Sequence, residues 1–263
     1  MRGGLYVRGG LYVSKIKVLS VVGISKSGKT TTIENIIREL TRRGRSVGTI
    51  KEIHFHEFKM DMDGTNTDRH KQAGATLVTA RGDNETDILF QEKLPVNEIL
   101  RFYNQDYVIM EGVRDSSTAK IVTAHDIEGI ESRLDGTVIA ISGRIASKIR
   151  EYKGIPVINS MTDIEALVDL IEKRSFRPLP DVSDECCRAC GFTCCELGAR
   201  IAQGLSHRGD CVLDRQEVVL RIDGTEIPMV PFVQRIIKNT IIGLSSELNG
   251  YSDNGDIEIC VRR

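Results

Sequence analysis

The stretch Val18-Leu19-Ser20-Val21-Val22-Gly23-Ile24-Ser25-Lys26-Ser27-Gly28-Lys29-Thr30-Thr31 decides the fold. From Gly23 onward it fits the pattern G-x-x-x-x-G-K-[ST] at every fixed position. Val18 to Val22 reads as a buried parallel strand. The segment after the loop carries Ile33, Ile36, Ile37 and Leu40 at i, i+3, i+4 and i+7, one apolar face of a helix. Strand, glycine loop and helix N-terminus together aim backbone N–H groups and the helix dipole at a polyphosphate. The expected nucleotide-binding residues are therefore Gly23, Ser25, Lys26, Ser27, Gly28, Lys29, Thr30 and Thr31. Lys29 reaches the β/γ-phosphates in this reading and Thr30 holds Mg²⁺. Lys26 is equally readable as a solvated loop side chain.

Working outward, Ser46 to Lys51 reads as a second strand, followed by a polar loop from Glu52 to Thr67 that holds His54, His56, Asp61, Asp63 and Asn66. A short helix over Asp68 to Ala73 and an apolar stretch from Gly74 to Ala80 come next. Tyr107 to Met110 is a buried strand ending at Glu111-Gly112, and an acid at that end of a parallel strand lies beside the phosphate loop. Glu111 is thus expected with Lys29 in catalysis, and with Thr30 and Asp63 around Mg²⁺; Asp61 is an alternative from the same loop. Lys120 to Thr123 and Gly136 to Ser142 read as further strands. Pro156 to Asn159 leads into a helix with Ile164, Leu167, Val168 and Ile171 on one face, started by a Thr162/Glu165 capping box. Alternating strands and helices predict a doubly wound, mostly parallel α/β sheet over residues 16–176.

Composition narrows the classes. The 263 residues carry 36 Lys+Arg against 37 Asp+Glu, a net charge of −1, and no basic stripe argues for nucleic acid. No apolar run reaches the ~20 residues that span a bilayer, and no signal-peptide pattern opens the chain, so a cytoplasmic location is expected. Residues 2–7 and 8–13 are a tandem Arg-Gly-Gly-Leu-Tyr-Val, read as a duplicated, poorly ordered leader over 1–15.

The P-loop segment, Gly44 with Val47 to Lys51, His54 and His56, Arg69 to Ala75, and Asp106 to Gly112 followed by Lys120-Ile121 together resemble the MobB family of molybdopterin-guanine dinucleotide biosynthesis proteins. The resemblance covers about residues 16 to 174. It implies a Mg²⁺- and GTP-binding P-loop domain, preferring GTP over ATP, that serves molybdenum or tungsten pterin cofactor biosynthesis with a cofactor-biosynthesis or molybdo/tungsto-enzyme partner. Guanine preference rests on the resemblance alone, since the base-reading Asn-Lys-x-Asp is absent. It also suggests that Arg69 meets a nucleotide or pterin phosphate; an exposed helix arginine is the alternative. The family's Gly-Lys-Asp-[Ser/Thr] reads Gly64-Thr65-Asn66-Thr67 here, which removes a carboxylate and implies slow hydrolysis. His54 and His56 are readable either as a metal pair or as solvated loop residues.

Six of seven cysteines fall between 186 and 211. In a reducing compartment such thiols act as ligands more often than as disulfides. Cys187, Cys190, Cys195 and Cys211 give C-x2-C-x4-C with a remote fourth, a four-thiolate iron–sulfur arrangement. Cys186 and Cys194 are surplus, so either doublet can shift by one. With Gly191, Ala199 and Gly204 the segment 182–213 resembles the four-cysteine domain of corrinoid iron–sulfur proteins, implying a 4Fe-4S cluster; a structural zinc site is the competing reading. Cys260 reads as a small core residue.

Residues 214–263 read as a small α+β module. It holds a hairpin over Val218 to Ile227, a helix over Phe232 to Leu248, and a closing strand over Asp256 to Val261, with docking or a homodimer as the use of its apolar faces. Two other functions fit the same motifs. One is an ATP-dependent iron–sulfur metallochaperone or redox-gated NTPase, and the other a nucleotide-switched adaptor without significant turnover.

Overall fold

The computed structural model describes residues 16–54, 58–180, 188, 190–212, 218–222, 225–227, 229, 231–252, 257–259 and 261. The tandem hexapeptide, His56, Cys186, Cys187 and Cys260 lie outside the described residues. In chain order the elements begin β1 (Lys17–Gly23), α1 (Lys29–Arg42), β2 (Val47–Lys51), α2 (Asn66–Gln72), β3 (Leu77–Arg81), β4 (Thr86–Phe90), α3 (Val96–Ile99) and β5 (Tyr107–Glu111). Then follow β6 (Ala119–Thr123), α4 (Ile127–Glu131), β7 (Val138–Ser142), β8 (Glu151–Tyr152), β9 (Ile155–Pro156) and α5 (Ile164–Arg174). The chain continues through α6 (Cys194–Gln203), β10 (Leu220–Ile222), β11 (Thr225–Ile227) and α7 (Pro231–Ser245).

The central sheet is five-stranded, in the order β2-β5-β1-β6-β7, and every pair in it is parallel. This is the doubly wound α/β sheet expected from the sequence. Val157 adds a parallel bridge beyond Ile141, and Phe176 returns antiparallel to Val18. Side chains alternate across β1 as the period of a strand requires. Leu19 and Val21 join Ile33, Ile36 and Leu40 of α1 and Leu167, Val168 and Ile171 of α5 on one face. Val18 and Val22 face the other way, among Ile50, Val108 and Met110 and among Val122, Ile130 and Ile141 respectively.

Arginine and carboxylate pairs tie α1 to α5. Arg43 bonds Glu39 at 2.7 Å, Asp169 at 2.6 Å and Glu172 at 2.8 Å, and Arg42 bonds Glu39 and Glu165. Glu39 is buried, and its two arginines hold its carboxyl down to about 2.

Helix α6 packs into the same core as the sheet: Leu197, Ile201 and Ala202 lie with Leu19, Ile121 and Ala140. Thr193 and Glu196 form its capping box, bonding at 3.1 and 2.8 Å. The helix touches Ser117 and Gly136, the residues leading into β6 and β7, so it sits at the end of the sheet opposite the P-loop.

Two sequence expectations are corrected. No Thr162/Glu165 capping box forms; the N-cap of α5 is Asp163, with no side-chain cap bond, because the Thr162 hydroxyl donates instead to Asp163 Oδ2 at 2.7 Å. The closing strand does not form over Ile257, Glu258, Ile259 and Val261, which carry no regular structure and are exposed. The antiparallel hairpins β3–β4 and β8–β9 are additions to the sequence reading.

Candidate functional site

The loop between β1 and α1 is held by contacts that its residue types make possible. A Cβ at Gly23 would lie 2.3 Å from both the carbonyl and hydroxyl oxygens of Thr123, so no larger residue fits there. Gly28 adopts φ 103°, a left-handed conformation that glycine takes without steric cost, and from there it caps α1. Buried Ser27 donates to Ile24 O at 2.8 Å and shares a 2.8 Å hydrogen bond with Thr123. The turn after β7 closes on the loop from the far side. Arg144 N donates to Ser27 O at 3.2 Å, and a Cβ at Gly143 would sit 2.2 Å from that same oxygen.

Lys29 folds back over the loop, its Nζ donating to Gly23 O at 2.9 Å and Ile24 O at 2.7 Å. Burial lowers its pKa; the Glu111 carboxylate opposes that, while Arg133 and Lys51 reinforce it. Thr30 Oγ1 donates to Glu111 Oε1 at 3.4 Å, and Lys51 Nζ stands 3.7 Å from the same carboxylate oxygen. No acidic residue occupies the first turn of α1 itself, and the positive helix end is met by the Glu111 carboxylate from β5. Ser25, Lys26, Thr30 and Thr31 are exposed around it. A hydroxyl and a carboxylate so placed suit a hard cation such as Mg²⁺, which takes oxygen ligands and bridges to phosphate. Gly112, at φ 82°, donates to Val21 O at 2.9 Å and brings the chain past Glu52 and His54, whose Nε2 lies 3.9 Å from where its Cβ would be.

The other expected residues gather elsewhere. Asp63 is 82% exposed and pairs with Lys59 at 3.0 Å. Asp61 pairs with Lys71 at 2.7 Å and accepts from Thr65 and Thr67; Lys71 and these hydroxyls hold its carboxyl down to about 2. Neither is brought to Thr30 and Glu111. Arg69 is exposed on α2. Arg133 is a part-buried neighbour of Lys29 that the sequence reading did not single out. It follows α4 with no motif around it, and only the fold carries it there.

Among the thiols, Cys211 is buried and Cys190 and Cys194 pack against the same apolar cluster, whereas Cys195, the expected ligand of its doublet, is exposed. Cys190 Sγ lies 3.4 Å from Phe192 O, and the Arg200 guanidinium stacks over the Phe192 ring at 4.7 Å. Among the described residues no three His, Cys, Asp or Glu side chains converge in a group able to hold a metal ion. Cys187 is not among them, so the full thiol set is not represented. Among the described residues no helix is long and apolar enough to cross a membrane.

Comparison with known proteins bears on the same region. The family model for molybdopterin guanine dinucleotide synthesis protein B, MobB, matches residues 18–143. A Methanocaldococcus jannaschii protein, provisionally named a molybdopterin-guanine dinucleotide biosynthesis adapter protein, is 27% identical over 251 residues, 93% of this chain and 97% of the relative. The Escherichia coli molybdopterin-guanine dinucleotide biosynthesis adapter protein is 27% identical over 172 residues, 59% of this chain and 91% of the relative. The crystal structure of Bacillus subtilis MobB superposes with a TM-score of 0.50 at 25% identity, covering 59% of this chain and 96% of that one. Family model, relatives and solved structure all cover the P-loop domain, which is similar to the MobB family over residues 18–143.

Proposed function

We propose that this chain is a Mg²⁺- and GTP-binding adapter protein in molybdopterin-guanine dinucleotide biosynthesis, acting in the cytoplasm on a partner of the molybdenum or tungsten cofactor pathway. The observation that carries the reading is the meeting of Lys29, Thr30 and Glu111 at the N-terminus of α1. In this proposal the backbone of Gly23 to Thr30 cradles the phosphates, with Ser25, Lys26, Ser27 and Thr31 at its rim. Lys29 leaves its two carbonyl partners to reach the β/γ-phosphates, and Thr30 with Glu111 would hold Mg²⁺. Hydrolysis is slow in this proposal, because no glutamine or arginine finger can be assigned from the sequence. Guanine preference rests on the family resemblance alone, since the chain carries no Asn-Lys-x-Asp base-reading motif. Homodimerisation, through the apolar faces that follow residue 214, is part of the same proposal.

The thiols of 186–211 are proposed to hold a 4Fe-4S cluster. Cys187, Cys190 and Cys211 would be ligands, with the third position of the motif taken from the doublet Cys194/Cys195. The C-x2-C spacing supports this, as does the packing of Cys190, Cys194 and the buried Cys211 on one apolar cluster. Such a cluster would supply one-electron redox chemistry or a covalent clamp on the fold.

Calorimetric titration of the full chain with Mg-GTP and Mg-ATP tests the nucleotide assignment. Tighter binding of GTP is expected; equal or reversed affinities would remove the guanine part of the proposal.

A further inference from the structure

On the sheet face away from α1, the turn after α4 and the segment after β5 enclose a cavity of about 380 Å³. Its polar wall is cationic. Arg133 donates to Ser132 Oγ at 2.6 Å, and Arg114 reaches Ser132 O at 3.4 Å, so two guanidiniums meet over one residue. Among the described residues neither arginine stands in an ion pair. Two acids also line the cavity, Asp115 and Asp135, and Asp135 is already committed. Its Oδ2 accepts from the buried Lys120 Nζ at 2.8 Å, and its Oδ1 accepts from Thr137 N at 2.8 Å and from the Thr137 hydroxyl. Asp115 is exposed and its field falls on Lys93. Burial, and then the Arg114 charge, pull Arg133 below its ordinary pKa. Val22 and Leu134 supply an apolar wall.

A half-buried guanidinium beside an exposed one of like charge favours an anion, and their planar forks match the oxygens of a phosphate. The volume suits one small ligand with an organic body against Val22 and Leu134. We propose that this cavity binds an organic phosphate monoester, with Arg114 and Arg133 on the phosphate. Val22, the residue before Gly23 of the P-loop, lines the cavity, so the monoester is held beside the loop. That adjacency to a triphosphate rests on the nucleotide reading; the monoester site itself does not.

The test is calorimetric titration of the full-length chain carrying Lys29→Ala, which silences the P-loop lysine, with phenyl phosphate and with inorganic phosphate as probes. Phenyl phosphate is expected to bind about fivefold more tightly than inorganic phosphate, through the apolar wall. Adding Arg114→Gln or Arg133→Gln is expected to weaken it by about tenfold, and Arg133→Lys, which keeps charge but not the fork, by less. Thermal unfolding of each variant confirms that these surface substitutions leave the fold intact. Absence of binding to the Lys29→Ala protein, or affinity indifferent to both arginines, would overturn the site. Inorganic phosphate binding as tightly as the ester would overturn the monoester. Failure of the nucleotide reading is separate: it would appear as no Mg-GTP binding by the unmodified chain, with phenyl phosphate binding unchanged.

Discussion

Gly198 and Ser117 approach so closely that a Cβ added at 198 would lie 2.2 Å from the Ser117 carbonyl oxygen. The cysteine-bearing helix α6 is thereby pressed onto the segment that leads into β6, and Ala199 meets Gly136 one residue further on. Gln203 Nε2 adds a 3.1 Å hydrogen bond to Gly136 O. Leu197, Ile201 and Ala202 then complete the apolar layer that α1 and α5 begin. Helix α6, with Cys194 and Cys195, is built into the bottom of the sheet. A five-residue strand at about 3.3 Å per residue separates it from the phosphate loop by roughly 16 Å, so a cluster there would not touch the nucleotide.

That contact makes Gly198→Ala a test of docking. The added methyl forces the helix off Ser117, and overpacking of this kind costs about 1–3 kcal/mol. Denaturant unfolding should show a lower midpoint with little change in slope. A midpoint equal to that of the unmodified chain would mean that α6 does not sit against Ser117.

Acid should loosen the seam between α1 and α5. Glu39 titrates at about 2 in the fold, against an ordinary value of 4.5, because Arg42 and Arg43 hold its charged form. A depressed folded pKa contributes stability that is fully present above the unfolded value and is lost as the pH falls from about 4.5 to about 2. Glu39→Gln should therefore destabilise the chain at neutral pH and narrow its gap to the parent as the pH falls through that window. Parallel melting-temperature profiles for the two proteins would rule this out.

How much of this was legible beforehand differs by element. β1 and β5 announced themselves because both faces are buried, giving mostly apolar runs such as Val18 to Val22, broken only by the small Ser20, and Tyr107 to Met110. The hairpin β3–β4 did not. Leu77 to Arg81 and Thr86 to Phe90 are mostly exposed or half-buried, so their pairing leaves only a weak apolar pattern. The last segment deceived in the opposite sense: Ile257, Ile259 and Val261 alternate like a strand, yet no strand partners them among the described residues. At the site, Lys29 and Thr30 were fixed by the motif and Glu111 by its place at a strand end. Arg133 could not be read, because its approach to Lys29 follows from how α4 packs on Val22 and Val122 and from no local spacing. Choosing between Cys194 and Cys195 likewise needed the phase of α6 on the core, which spacing alone leaves open.

Glu111→Gln keeps the side-chain shape and removes the charge shared by Thr30, Lys51 and Lys29. If Glu111 helps to hold Mg²⁺, the gain in GTP affinity on adding Mg²⁺ should shrink by roughly tenfold. Affinity without metal should hold or rise, since an anion near the phosphates is gone. An undiminished Mg²⁺ effect would place the cation elsewhere.

Protein made without oxygen should be brown, carry iron and sulfide, and bleach in air. Clustered thiolates repel one another unless cations neutralise them. Cys187→Ser, Cys190→Ser or Cys211→Ser should lose the colour. A colourless chain containing zinc and no sulfide, after expression with ample iron, would replace the cluster with a structural zinc site.

The central claim is that Gly23 to Thr30 binds a nucleoside triphosphate, and Lys29→Ala tests it most directly. The substitution removes the charge aimed at the phosphates, along with two hydrogen bonds to the loop at 2.9 and 2.7 Å. Titration with Mg-GTP should show affinity reduced by about a hundredfold or more, roughly 3 kcal/mol, in a protein whose circular dichroism is unchanged. Equal Mg-GTP affinity in Lys29→Ala and the unmodified chain would contradict the account.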